Sequence, residues 1–104
     1  MNMTDFIITR RIEPDDTVTL VAEGELDVFT SARVREGLLA LEGSGERRIN
    51  VDLAGIRYLD STGLSVIIGC NKRLRAEGRE LWITGASAQV EKVLTILGMK
   101  DWMM

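Results

Sequence analysis

The chain has 104 residues, 45% of them hydrophobic and 28% charged, which fits one soluble globular domain over residues 1–104 and leaves no room for a second core. A net charge of −3 lacks the positive footprint of direct nucleic-acid binding, and no apolar run approaches the roughly 20 residues of a membrane span. The sequence has no histidine, which removes histidine-based acid–base catalysis and histidine metal ligation, and its one cysteine cannot form an internal disulfide.

The start, Met1-Asn2-Met3-Thr4-Asp5, lacks the basic region of a secretory signal, so the expected location is the cytoplasm. Phe6 to Ile12 is rich in β-branched residues and predicts a first strand. Glu13-Pro14-Asp15-Asp16 predicts a turn, with Pro14 presetting φ. Thr17 to Glu23 alternates and predicts a second strand, paired with the first as a hairpin. Gly24-Glu25-Leu26-Asp27 then breaks the alternation. Thr30 or Ser31 is a candidate N-cap for a helix whose inner face is Val34, Leu38 and Leu41, ended by Gly43-Ser44-Gly45. Arg48 to Leu53 predicts a third strand.

The turn Leu59-Asp60-Ser61-Thr62-Gly63-Leu64 follows, and then a helix from about Thr62 to Ala76 with Gly78 as its C-terminal cap. Leu64, Ile67, Ile68, Asn71 and Leu74 are spaced like one face of that helix. Ser61 and Thr62 thus stand where a helix begins. A hydroxyl there can cap the helix, and a phosphate there would meet unpaired N–H donors at the positive end of the dipole. Glu80 to Thr84 predicts a short strand. Ser87 can cap a third helix with inner face Val90, Val93, Leu94 and Leu97, closed by Gly98. Asp101-Trp102-Met103-Met104 is expected to pack back onto the domain. The order β-β-α-β-α-β-α predicts an α/β fold with a mixed sheet of about four to five strands, its alternation from the third strand onward implying parallel pairing with right-handed crossovers.

Little conventional chemistry is present. Gly43-Ser44-Gly45 lacks the lysine and the strand-to-helix setting of a phosphate loop. Asp27, Asp52 and Asp60 fall near the C-terminal ends of strands, where three carboxylates can bind Mg²⁺. The simpler expectation is that they make local turn and cap hydrogen bonds. Cys70, in the apolar run Val66-Ile67-Ile68-Gly69-Cys70, reads as a small buried thiol. Lys72, Arg73, Arg75, Arg79 and Glu80 read as a solvated charged face at the far end of the second helix.

Three pieces in order give the chain a resemblance to the STAS domain family. They are Gly24-Glu25-Leu26-Asp27, the long block from Ile49 to Leu64 with its Asp60-Ser61-Thr62-Gly63 turn, and Leu81 to Gly85 followed by Val90 to Gly98. The turn is similar to that of the stand-alone bacterial anti-sigma factor antagonists. That resemblance implies that Ser61 is phosphorylated by a partner that is both anti-sigma factor and serine kinase, and restored by a serine phosphatase. It implies Asp27 and Asp60 as the surroundings of the phosphosite, with Thr62 as a second, less favoured hydroxyl. Arg57, Tyr58, Ser61, Leu64 and Ser65 are the expected docking face. On this reading the protein is a substrate and binding module, with no catalytic residue, metal or cofactor. A first rival is an unphosphorylated STAS subunit of a transport or signalling-scaffold complex. A second is a small nucleotide-binding or hydrolysing protein that uses the carboxylates.

Overall fold

A computed structural model describes residues 6–103. The start Met1–Asp5 and the last tail residue, Met104, lie outside the described residues. The elements run β1 (Ile7–Glu13), β2 (Thr17–Leu26), α1 (Ser31–Ser44), β3 (Arg48–Leu59), α2 (Ser61–Ala76), β4 (Glu80–Thr84) and α3 (Ala88–Ile96), followed by a 3-10 turn, Lys100–Trp102. The four strands form one mixed sheet in the order β1-β2-β3-β4. β1 pairs antiparallel with β2, and β2, β3 and β4 pair in parallel. This is the architecture expected from the alternation of elements.

The hairpin loop is Pro14-Asp15-Asp16, closed by the pair Glu13↔Thr17. Asp15 and Asp16 both take positive φ, which aspartate tolerates better than most residues. β2 and β3 are longer than the alternation suggested. β2 continues through Gly24 and Glu25 to Leu26. β3 continues past Leu53 through Ala54-Gly55-Ile56-Arg57-Tyr58 to Leu59. The reason lies in two irregularities of register. Val21↔Asp52 is followed by Glu23↔Gly55, and Gly24↔Ile56 by Glu25↔Tyr58, so β3 carries an extra residue at each step. Bulges of this kind bend a strand and increase its twist. Gly55 suits the first of them, since a Cβ there would lie 2.7 Å from Cγ of Glu23.

One face of the sheet is apolar. Val18, Leu20, Ile49, Val51, Leu53, Leu81 and Ile83 are buried there with Val34, Leu38 and Leu41 of α1 and Leu64, Ile67 and Leu74 of α2. Val90 and Leu94 of α3 and Met99 join the same cluster. Leu97, expected on the inner face of α3, is instead 49% exposed. It follows the last turn of the helix, as its C-cap residue, and so leaves the helical stripe. Ser87 caps α3 as expected, accepting from Val90 N at 3.2 Å. The tail packs back as expected: Trp102 and Met103 lie against the core, and Met103 forms a parallel bridge to Ile83.

Residues on the other face of the sheet, such as Thr17, Val21, Asn50, Asp52, Trp82 and Thr84, are only partly buried. No helix among the described residues is long and apolar enough to cross a membrane.

Candidate functional site

The site is the junction of β3 and α2, backed by the end of β2. The last register pair of the two strands is Leu26↔Leu59. The chain then leaves the sheet, but Asp60 N still donates to Leu26 O at 3.2 Å. α2 starts at once. Asp60, in extended backbone, is the N-cap, and its Oδ1 accepts from Gly63 N at 3.0 Å. The cap is therefore the aspartate and not Ser61 or Thr62. A carboxylate at this position satisfies an orphan amide and also favours the positive end of the helix.

This arrangement leaves Ser61 as the first residue of α2, exposed to solvent. Among the described residues, none shares a hydrogen bond with its hydroxyl. Thr62 is exposed too, and its carbonyl accepts from Ser65 Oγ at 2.7 Å. Gly63 fits because Leu26 presses on it: a Cβ there would lie 2.4 Å from Leu26 Cγ and 3.0 Å from Leu26 O. The turn is thus pinned from below while Ser61 faces outward.

Asp27 follows Leu26 and so lies at the same edge. Its Oδ1 accepts from Phe29 N at 2.9 Å and Thr30 N at 3.2 Å. Thr30, expected as a capping hydroxyl for α1, holds the N-cap position without a capping bond. Its Oγ1 instead donates to Glu25 O at 2.7 Å and accepts from Asp27 N at 3.0 Å. The Gly-Glu-Leu-Asp piece is therefore the end of β2 together with the first residue of the hydrogen-bonded connection to α1, beside the phosphosite candidate. Asp52 does similar local work, its Oδ1 accepting from Ala54 N at 2.9 Å. No cluster of three or more metal-ligating side chains forms among the described residues. Asp27 and Asp60 lie at strand ends as expected, whereas Asp52 lies within β3 because that strand runs on to Leu59; all three accept from nearby backbone amides.

Of the expected docking residues, Arg57, Tyr58, Ser61 and Ser65 are exposed. Leu64 is not: it is 1% exposed and belongs to the core. It faces inward because it shares the stripe of Ile67 and Leu74, three and ten residues on. Val28 and Phe29, large apolar residues that are 58% and 71% exposed in the connection after Asp27, were not singled out on the sequence. Two apolar residues directly after a turn-forming aspartate were the available signal.

The charged group at the end of α2 is more structural than a solvated face. Arg73 makes a bidentate pair with Glu42 of α1, at 2.7 and 2.9 Å. Arg79 donates to the carbonyls of Glu46 and Glu42, at 2.8 and 2.9 Å. These contacts tie the end of α1 to the end of α2. The Arg73 hydrogen bonds hold the Glu42 carboxyl below its ordinary range. Cys70 is fully buried, and desolvation, followed by its hydrogen bond to Glu42, pushes its thiol up to about 12. It is a packing residue.

A mixed sheet with a helix after each of its three parallel strands, carrying an Asp-Ser-Thr-Gly turn at the β3–α2 junction, defines the chain's class. The chain belongs to the STAS family: the family profile described as "Mlab, STAS domain" matches residues 10–104. An anti-sigma-B factor antagonist of Staphylococcus epidermidis is 36% identical over 92 residues, covering 88% of this chain and 85% of that protein. The protein of the same name from Staphylococcus aureus (strain NCTC 8325 / PS 47) is 40% identical over 80 residues, covering 77% of this chain and 74% of the relative. Among solved structures, the unphosphorylated anti-sigma factor antagonist SpoIIAA superposes with a TM-score of 0.82 at 23% identity, over 94% of this chain and 86% of the other. An anti-sigma factor antagonist from Mycobacterium paratuberculosis superposes with a TM-score of 0.85 at 14% identity, over 96% of this chain and 84% of the other. At those identities the superpositions establish the fold.

Proposed function

We propose that this chain is an anti-sigma factor antagonist switched by phosphorylation of Ser61. Unmodified, it binds an anti-sigma factor with serine-kinase activity and so frees a sigma factor. The kinase transfers the γ-phosphoryl group of ATP to Ser61 Oγ, which loses its proton as ADP departs, and the complex is lost. A serine phosphatase returns the hydroxyl. The chain acts as substrate and binding module in the cytoplasm, with Ser61 preferred over Thr62.

The observation that carries this reading is the division of labour in the turn. Asp60 caps the helix, so Ser61 is free of a structural duty and stands exposed at N1. A helix cap needs one acceptor, and a second hydroxyl beside it is surplus to folding. The names of the staphylococcal relatives support the partner class.

The docking face comprises Arg57, Tyr58, Ser61 and Ser65, extended by Val28 and Phe29, and excludes Leu64. Phosphorylation adds about −1.5 to −2 charges at neutral pH. That charge falls beside Asp60 and Asp27, at the centre of a surface that must be desolvated on binding. Affinity falls through local charge and bulk, and the fold is kept.

Intact-mass analysis of protein from its native host, with fragmentation, tests the reading. A gain of about 80 Da localised to Ser61 is expected, together with capture of a kinase by Ser61→Ala and not by the phosphorylated form. Unmodified protein under every growth condition favours the second reading, a constitutive subunit of a transport or scaffold complex. The name of the matching family profile, which is not that of an antagonist, is the observation on its side.

A further inference from the structure

A shallow cleft of about 230 Å³ lies between α1 and α2, lined by Arg35, Ser65, Val66, Gly69 and Arg73. The two helices run in the same direction, because each returns the chain to a parallel strand of one sheet. The Arg73–Glu42 pair sets their relative level, position 73 facing position 42. Two turns back on each helix bring Ser65 level with Arg35, in agreement with their shared cleft. One further turn back on α2 is Ser61. Residues four apart share a helix face, with β-carbons about 5–6 Å apart, so Ser61 stands on the side of α2 that opens onto the cleft.

On a helix each Cα–Cβ bond tilts toward the N-terminus, and long side chains lie over the preceding turn. From its place on the rim of the cleft beside Ser65, an arginine at position 35 has the reach to extend over the preceding turn toward the level of Ser61. Arg35 is exposed, and among the described residues no carboxylate is paired with it. Arg73, by contrast, has its Nε and Nη2 committed to Glu42.

We propose that Arg35 is the counter-charge that receives a phosphate on Ser61 and draws it over the mouth of the α1–α2 cleft. The inference rests on the reading of Ser61 as the phosphosite. The other charges around that position are Asp60 on its own turn, Asp27 in the β2–α1 connection and Arg57 near the end of β3. The two aspartates repel a phosphate and are already bonded to turn amides. A guanidinium presents paired donors that match phosphate oxygens, so Arg35 offers geometry as well as charge. Phosphorylation would then tie α1 to α2 at the start of the helices, as Glu42 and Arg73 already tie them at the end.

The test uses the full chain with phosphoserine installed at position 61 during translation, so that no native kinase is needed. Phosphorus NMR follows the phosphate through its titration near pH 6. Arg35→Gln is expected to raise the midpoint by about half a pH unit. Arg35→Lys recovers part of that shift, and Arg47→Gln, just before β3, leaves the curve unchanged. Superimposable curves for the parent and Arg35→Gln, or a larger rise in Arg57→Gln, overturn the assignment. Either result stands whether or not the native host modifies Ser61, so loss of the parent reading and loss of this one are told apart.

Discussion

At the scale of single residues, the turn sets the capping carboxylate of Asp60 and the exposed hydroxyl of Ser61 one position apart. Asp60→Ala removes the acceptor of the Gly63 amide and is expected to cost about 1 kcal/mol in urea unfolding, while Asp60→Asn keeps most of the stability. Ser61→Ala is expected to stay within about 0.5 kcal/mol of the parent, as an exposed substitution with no structural partner does. Equal losses at the two positions would remove the distinction on which the phosphosite reading stands. Gly63→Ala is the severe change here, because Leu26 side chain and backbone both occupy the space a methyl needs. A loss of about 1–3 kcal/mol is expected. The neighbouring positions show why a hydroxyl of Ser61 or Thr62 was expected as the cap while Asp60 holds that role. Asp, Ser and Thr are all good caps, and adjacency alone does not say which of them accepts the bond. Leu64 was expected both on the inner stripe of α2 and on the docking face, and it lies in the core, where its helical spacing put it.

At the scale of elements, the strand-to-helix order was legible because its punctuation is local: Pro14, Gly45, Gly78, Ser87 and Gly98 each mark an end. The length of β3 was not, because its buried residues Leu53, Ile56 and Leu59 come every third position. Two bulges produce that spacing, and a bulge is visible only once the partner strand is known. The β2 partner in fact keeps its alternation through Ala22, Gly24 and Leu26, hidden by a glycine that has no apolar side chain to reveal it. The tie between α1 and α2 was illegible for a related reason: Glu42 and Arg73 are far apart in the chain. The pair has a pH signature. The carboxyl of Glu42 is held below its ordinary value of 4.5, so its contribution is present above that pH and fades as the pH falls below it. Glu42→Gln should therefore be less stable than the parent at neutral pH, by up to about 1 kcal/mol for a half-exposed pair. The gap should close in acid, as followed by unfolding curves at several pH values. A gap independent of pH would assign the effect to packing.

At the scale of the molecule, the core is built on one face of the sheet and sealed at its end by the tail. Trp102 and Met103 rest on it, and Met103 adds a bridge beside Ile83. Truncation after Met99 should lower stability by about 2–3 kcal/mol through lost apolar burial, measured by urea unfolding, with the far-ultraviolet spectrum of the native state retained. A truncated chain as stable as the parent would show that the tail merely lies alongside. Cys70 sits at the centre of this packing, on the buried side of α2, and has a second consequence at high pH. Its thiol stays protonated in the fold up to about 12, against an ordinary 9.0, so the fold loses stability as pH rises above 9.0. It also has a practical value. A chain whose one native thiol is sealed and protonated is a ready host for site-directed spectroscopy. A cysteine placed at Ser65 would be the position that a maleimide dye finds, and its fluorescence would report contact at the rim of the turn without any background to subtract.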